Sequence, residues 1–162
     1  MKRILIFGNS GSGKSTLAKA YCAKYALAHL DLDSLAWEPD SPPKRRSLSE
    51  SEWEIREFLD SNNEWVIEGC YSDLLALVAN DANEAVFLNP GVEQCILNCW
   101  SRPWESHKYA SQQEQDENLQ MLIEWVKQYP ERSDEFSLKS HRELYEGFQG
   151  KKVEHRSNVE IR

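Results

Sequence analysis

The sequence lacks several things, and each absence removes a class of protein. It has no stretch of about twenty apolar residues, so no segment reads as a transmembrane helix. Lys2-Arg3 is followed only by Ile4-Leu5-Ile6-Phe7 before Gly8, too short an apolar run for a signal peptide, and a cytoplasmic location is expected. There is no Cys-x-x-Cys pair and no disulfide-rich spacing among Cys22, Cys70, Cys95 and Cys99, so reduced thiols are expected. Cys95 and Cys99 would share a helix face with His107 beyond, but a zinc site wants four ligands at recognisable spacing. Small buried hydrophobes explain that pair. Positive charge is in short supply: 19 Lys and Arg stand against 27 Asp and Glu, for a formal net charge of −8. Such a chain repels nucleic acid and anionic membranes, so neither is an expected partner, and any anion must be held by local groups. No internal repeat or low-complexity tract is present, and 162 residues suit one domain.

The pattern that is present alternates short apolar runs with helical spacing. Residues 4–7 form a continuous apolar run ended by glycine, as a parallel strand buried on both faces does. Helix composition follows over 15–27, a short strand over 28–32 and a proline-broken loop over 37–47. Ser49-x-x-Glu52 reads as a capping box opening a helix through Trp53, Ile55 and Phe58. Strands are expected over 65–69, 85–88 and weakly 151–155, and helices over 72–79, 92–100, 114–129 and 136–148. Ser157-x-x-Glu160 looks like the cap of a last helix running to Arg162. Alternating strands and helices imply an α/β fold with parallel pairing and right-handed crossovers.

The strongest motif is Gly8-Asn9-Ser10-Gly11-Ser12-Gly13-Lys14-Ser15, which satisfies G-x-x-x-x-G-K-S between an apolar strand and a helix. Small residues let backbone N–H groups converge on phosphate oxygens, and the helix points its positive end at the same place. Lys14 is placed to neutralise β- and γ-phosphate charge, Ser15 to offer its hydroxyl to Mg²⁺, and Thr16 to support the α-phosphate. ATP and Mg²⁺ are the implied cofactors.

A GTPase would carry an Asn/Thr-Lys-x-Asp segment, and none exists here. An AAA or transporter-type ATPase would end an apolar strand in Asp-Glu, whereas residues 85–88 run into Asn89. Acids end two other strands instead: Asp31 and Asp33 after the second, and Glu68 beside Gly69 after the third. Ligands of open α/β sheets bind outside the carboxyl ends of the strands, which places these acids near the phosphate loop. In an extended segment Asp31 and Asp33 point to one side. One can hold water around Mg²⁺ while the other orients, or takes a proton from, an acceptor hydroxyl. Asp31, nearer the strand end, is assigned to the metal. Asp33 lies next to the Trp37 loop and is assigned to the acceptor.

The P-loop, the segment His29-Leu30-Asp31-Leu32-Asp33-Ser34-Leu35-Ala36-Trp37, the segment Trp65-Val66-Ile67-Glu68-Gly69-Cys70-Tyr71 and the strand 85–88 together resemble the bacterial DNA topology modulation proteins, relatives of adenylate and shikimate kinases. The resemblance covers most of the chain, and the P-loop is its specific part. It implies an adenylate-kinase-like three-layer sandwich around a five-stranded parallel sheet in the order 2-3-1-4-5, one domain over 1–162. It further implies an acceptor-binding insertion at about 34–64 and a lid at about 101–113.

By the same analogy Arg102 supplies lid charge to catalysis beside Lys14 and Asp33. Arg156, in the turn Arg156-Ser157-Asn158, lies beside the adenine. Trp37, Arg56, Glu68 and Gly69 join Asp33 at the acceptor. Kinases of this group close an Arg-rich lid, whereas only Arg102, His107 and Lys108 are available here. Adenylate kinases carry Asp-Gly-x-Pro-Arg where this chain has Glu68-Gly69-Cys70-Tyr71-Ser72, and shikimate kinases carry three glycines there, so neither acceptor is supported. Lys44-Arg45-Arg46 reads either as an anion grip or as a solvated loop. The expected function is transfer of the γ-phosphate of ATP to a small acceptor, a nucleotide or hydroxylated metabolite. The alternatives are an ATP-binding regulatory or DNA-topology-associated protein with weak or no kinase activity, and an interaction module docking through its tryptophans.

Overall fold

The computed structural model describes residues 1–39 and 43–160. The middle of the expected 37–47 loop, with Pro42, and the end of the expected C-terminal helix at Arg162 lie outside the described residues. Five strands, β1 (Arg3–Gly8), β2 (Ala28–Asp31), β3 (Trp65–Gly69), β4 (Glu84–Leu88) and β5 (Lys151–His155), pair in the order β2-β3-β1-β4-β5, all parallel. Six helices connect them: α1 (Lys14–Tyr25), α2 (Leu48–Ser61), α3 (Ser72–Val78), α4 (Val92–Trp100), α5 (Gln112–Lys127) and α6 (Leu138–Gly147). The sheet order and the α/β class match the expectation.

Side-chain alternation along β1 divides the core. Ile4 and Ile6 face α1, packing with Leu17, Ala18, Val66 and Val86, while Leu5 and Phe7 face α2, α3 and α6 in a cluster with Ile55, Leu74, Leu75 and Phe87. All four β1 side chains are essentially inaccessible to water, each worth about 1.5–3 kcal/mol of transfer free energy. Phe7 stacks on Phe87 with ring centroids 5.3 Å apart, and His141 of α6 packs edge-on against both rings. The fully buried imidazole donates from Nε2 to the Cys70 carbonyl at 2.8 Å, so Nδ1 accepts from the Tyr129 hydroxyl at 2.6 Å. Burial pushes the His141 pKa down to about 4, keeping it neutral and the Cys70 carbonyl fixed.

Three local expectations are corrected. Helix α2 is capped by Ser47, whose hydroxyl accepts from Glu50 N, rather than by Ser49. The earlier start buries Ser51 and Ile55, and the Ser51 hydroxyl donates to the Leu35 carbonyl. Asp31 and Asp33 do not share an extended segment: Leu32–Ser34 is a 3-10 turn, and Asp31 caps it by accepting from Asp33 N at 2.9 Å. Among the described residues after β5, no helix forms at 157–160.

Candidate phosphate-binding and acceptor site

The P-loop leaves β1 at Gly8 and enters α1 through Gly13, whose backbone is left-handed at φ 95° and provides no side-chain cap. The first N–H groups of α1 therefore stay open at the positive end of the helix, the arrangement that holds phosphate. Gly11 is constrained twice: its φ is 81°, and a Cβ there would lie 2.4 Å from the Cys95 carbonyl. The loop is tied down from outside by Asn9 Nδ2 to the Val126 carbonyl at 3.3 Å and by Asn98 Nδ2 to the Gly11 carbonyl at 2.7 Å. Lys14 Nζ donates to the Asn9 carbonyl at 2.8 Å, lying back along the loop.

Strand register brings the acids to this loop. Ile6 pairs with Glu68 and Glu68 with Asp31, so all three point to the face that carries α1, as does His29, paired with Val66. Ser15, in the first turn of α1, donates its hydroxyl to Glu68 Oε1 at 2.8 Å, and His29 Nε2 lies 3.5 Å from the same oxygen. Glu68 is 1% exposed, and its Oε2 has no partner within the protein; the buried Ser12 hydroxyl is equally unpartnered. Burial, then the neighbouring Glu68 and Asp33 carboxylates, raise the Asp31 pKa to about 6.

Asp33 is held by two side chains. Its Oδ1 accepts from the Tyr71 hydroxyl, which itself accepts from Trp37 Nε1 at 2.8 Å, and its Oδ2 accepts from Lys108 Nζ at 3.1 Å. Burial works to raise the Asp33 pKa, but Lys108 and the Tyr71 hydroxyl outweigh it and hold the carboxyl below its ordinary value. Lys108 belongs to the segment 101–111, which has no regular structure and is held by Glu105 N to Gln115 Oε1 at 2.7 Å and Trp104 Nε1 to the Tyr109 carbonyl at 3.0 Å. P-loop, acids and this segment enclose a cavity of about 660 Å³.

Lys14, Ser15, Thr16, Asp31, Asp33, Glu68, Gly69 and Arg102 all line that cavity, along with Ser10, Gly11, Ser12 and Gly13 of the loop. Gly8 ends β1 just behind them. Glu68, expected at the acceptor, is turned to the Ser15 hydroxyl instead, because register puts it on the α1 face. Trp37 does not line the cavity and reaches Asp33 only through Tyr71.

Arg56 is not brought to the site: its guanidinium pairs with Asp81 at 2.7 Å and the Leu77 carbonyl at 2.9 Å, tying α2 to the end of α3. Arg156 points outward to Glu154 at 3.3 Å, while Asn158 and Val159 beside it line the cavity. Arg45 packs on Tyr71 with its charge held by Asp73 and Glu135, and Arg46 pairs with Glu50 and Glu54. Tyr71, His29 and Asn98 were missed as site residues. Only Tyr71, two positions after the strand-ending glycine, carried a signal.

No protein-family profile matches the chain. The uncharacterised protein YqaC of Bacillus subtilis (strain 168) is 35% identical over 68 residues, 42% of this chain and 38% of that protein, so the match spans under two fifths of the relative's length. Shikimate kinase from Acinetobacter baumannii in complex with shikimate superposes with a TM-score of 0.57 at 15% identity, covering 96% of this chain and 84% of that one. Deoxyadenosine kinase from M. mycoides with bound dATP gives 0.54 at 11% identity, covering 99% and 93%. Neither the solved structures nor YqaC shows membership of the DNA topology modulation family. Together the sheet order and these neighbours establish the P-loop kinase fold.

Proposed function

We propose that the protein binds ATP with Mg²⁺ in this cavity and transfers the γ-phosphate to a small hydroxylated acceptor. The observation that carries the reading is the convergence, at the uncapped start of α1, of Lys14, the Ser15 hydroxyl and the buried carboxylate of Glu68 with one oxygen unpartnered. Mg²⁺ keeps several waters and takes one or two carboxylates beside substrate phosphates. Ser15 would hold it directly, with Asp31 and Glu68 accepting from its waters. When bound, the ion would supply neutralisation of phosphate charge.

The protein's own groups do the rest. Backbone N–H groups of the loop and Lys14 hold the phosphates, and Asp33 accepts the proton of the acceptor hydroxyl as its oxygen bonds to the γ-phosphorus. The bond to the β–γ bridging oxygen breaks, and ADP leaves with the electron pair. The segment 101–113, with Arg102 and Lys108, is the lid in this reading, and 34–64 carries the acceptor side. Titration calorimetry of ATP·Mg²⁺ into wild type and Lys14→Ala tests it: the variant is expected to lose most of the binding, since phosphate charge is left uncompensated. Equal affinity and equal turnover in both would sink the assignment.

A further inference from the structure

The chemical class of the acceptor is written in the charges around Asp33, and the inference rests on the phosphotransfer reading above. At the acceptor end, where Asp33, Gly69 and Cys70 meet residues 105–108, the lining carries two carboxylates, Asp33 and Glu105, and the nitrogen-bearing side chains among them, Lys108 and His107, each lie against one of these acids. The Tyr71 hydroxyl donates its hydrogen bond to Asp33 and accepts one from Trp37, so it has no donor left for a ligand.

The lysine and arginine of residues 101–108, and Arg45 beside Tyr71, are already matched with acids. Lys108 Nζ is shared by Asp33 Oδ2 at 3.1 Å and Glu105 Oε2 at 3.4 Å, and Arg102 pairs with Glu105 at 3.5 Å. Arg45, the guanidinium packed on Tyr71, is held by Asp73 at 3.1 Å and Glu135 at 2.9 Å. Lys14 and the open end of α1 face the phosphate side. A phosphate or carboxylate on the acceptor would sit against Asp33 and have to break one of these pairs, exposing a carboxylate to a like charge. A hydroxyl or ammonium finds the opposite. Lys108 Nζ already marks where a donor bonds Asp33, and its flexible stem can leave.

We propose that the acceptor is a hydroxyl compound bearing no anionic group, uncharged or amine-bearing, and that its reacting O–H replaces Lys108 on Asp33. The transferred bond is the one described above, between an acceptor oxygen and the γ-phosphorus. Lys108, released, turns its charge toward the phosphates in the same cavity. The acceptor hydroxyl thus opens the Asp33–Lys108 pair and delivers the lid cation in one exchange.

Matched pairs test this on the full chain with ATP·Mg²⁺: thymidine against thymidine 5′-monophosphate, glucose against glucose 6-phosphate, and glucosamine against glucuronate. ADP release is measured above the no-acceptor background, and each compound is also titrated into the protein saturated with Mg²⁺ and a non-hydrolysable ATP analogue. The anion-free member of at least one pair is expected to be favoured by about tenfold or more in turnover or binding. Preference for the anionic members overturns the inference, and so does silence across every pair when the nucleotide itself binds. Failure of ATP·Mg²⁺ to bind wild type is a separate result, which removes the phosphotransfer reading beneath it.

Discussion

On the P-loop side of the cavity the loop closes on itself over a few residues, Ser12 N meeting the Asn9 carbonyl at 3.2 Å and Lys14 Nζ that same carbonyl at 2.8 Å, before Asn98, Val126 and Glu68 tie it to the rest of the fold. On the acceptor side the contacts run between side chains far apart in sequence, Tyr71 to Asp33 across 38 positions and Lys108 to Asp33 across 75. The first side is rigid because strand β1, the glycine conformations and the α1 terminus dictate it together. The second is a set of exchangeable ion pairs on a segment without regular structure. A backbone-built site binds the part common to every substrate, and a pair-built site can open for the part that varies.

The comparison breaks or holds most visibly at Gly11. An alanine there combines a left-handed backbone with a Cβ 2.4 Å from the Cys95 carbonyl, so Gly11→Ala is expected to lose about 3 kcal/mol or more of stability, and nucleotide affinity with it. Gly13→Ala meets nothing within 4 Å and carries only its φ of 95°, about 1–2 kcal/mol. Denaturant midpoints separate them, and equal midpoints would show that the Gly11 approach to α4 is not limiting.

On the acceptor side the expected loss is in turnover rather than fold. Asp33→Asn should leave ATP·Mg²⁺ affinity within a few-fold while turnover falls by about a hundredfold or more, because an acid that only serves the acceptor acts after the nucleotide has bound. Asp31→Asn should instead weaken the Mg²⁺ dependence of nucleotide binding. Calorimetry with and without Mg²⁺ beside steady-state rates distinguishes the two, and a reversed pattern would show the roles exchanged.

His141 sharpens the comparison from behind, since it holds the Cys70 carbonyl in the wall both sides share. Its folded pKa of about 4 lies below the ordinary 6.5, so the unfolded chain takes up a proton that the folded one refuses. The stability this contributes is complete above pH 6.5 and is lost as pH falls toward 4, about 2 kcal/mol of it by pH 5. Unfolding titrations at pH 7 and pH 5 on wild type and His141→Asn give that component by difference. A wild type no more acid-sensitive than the variant would mean the imidazole is not held neutral.

Much of the fold was legible because apolar runs ended by glycine, and helices at regular spacing between them, are local signals. The P-loop was legible for the same reason. Two overlapping Ser-x-x-Glu patterns at Ser47 and Ser49 were not, since both satisfy the capping chemistry and only the burial of Ser51 and Ile55 selects the first. The turn at Leu32–Ser34 was hidden because the alternation of Asp31 and Asp33 assumes a strand that had already ended. Arg56 read as an anchor for an acceptor until Asp81, 25 positions away, claimed its charge.

By itself, then, the sequence determined the strand–loop–helix phosphate cradle, the parallel α/β architecture and the presence of acids at the carboxyl edge of the sheet, all properties of neighbouring residues and their periodicity. Which acid meets which partner was decided by tertiary structure alone. Strand register turns Glu68 and His29 to the Ser15 side, and the path of 101–111 carries Lys108 to Asp33. Those pairings depend on distances across the folded chain, and a linear order of residues contains no such distances.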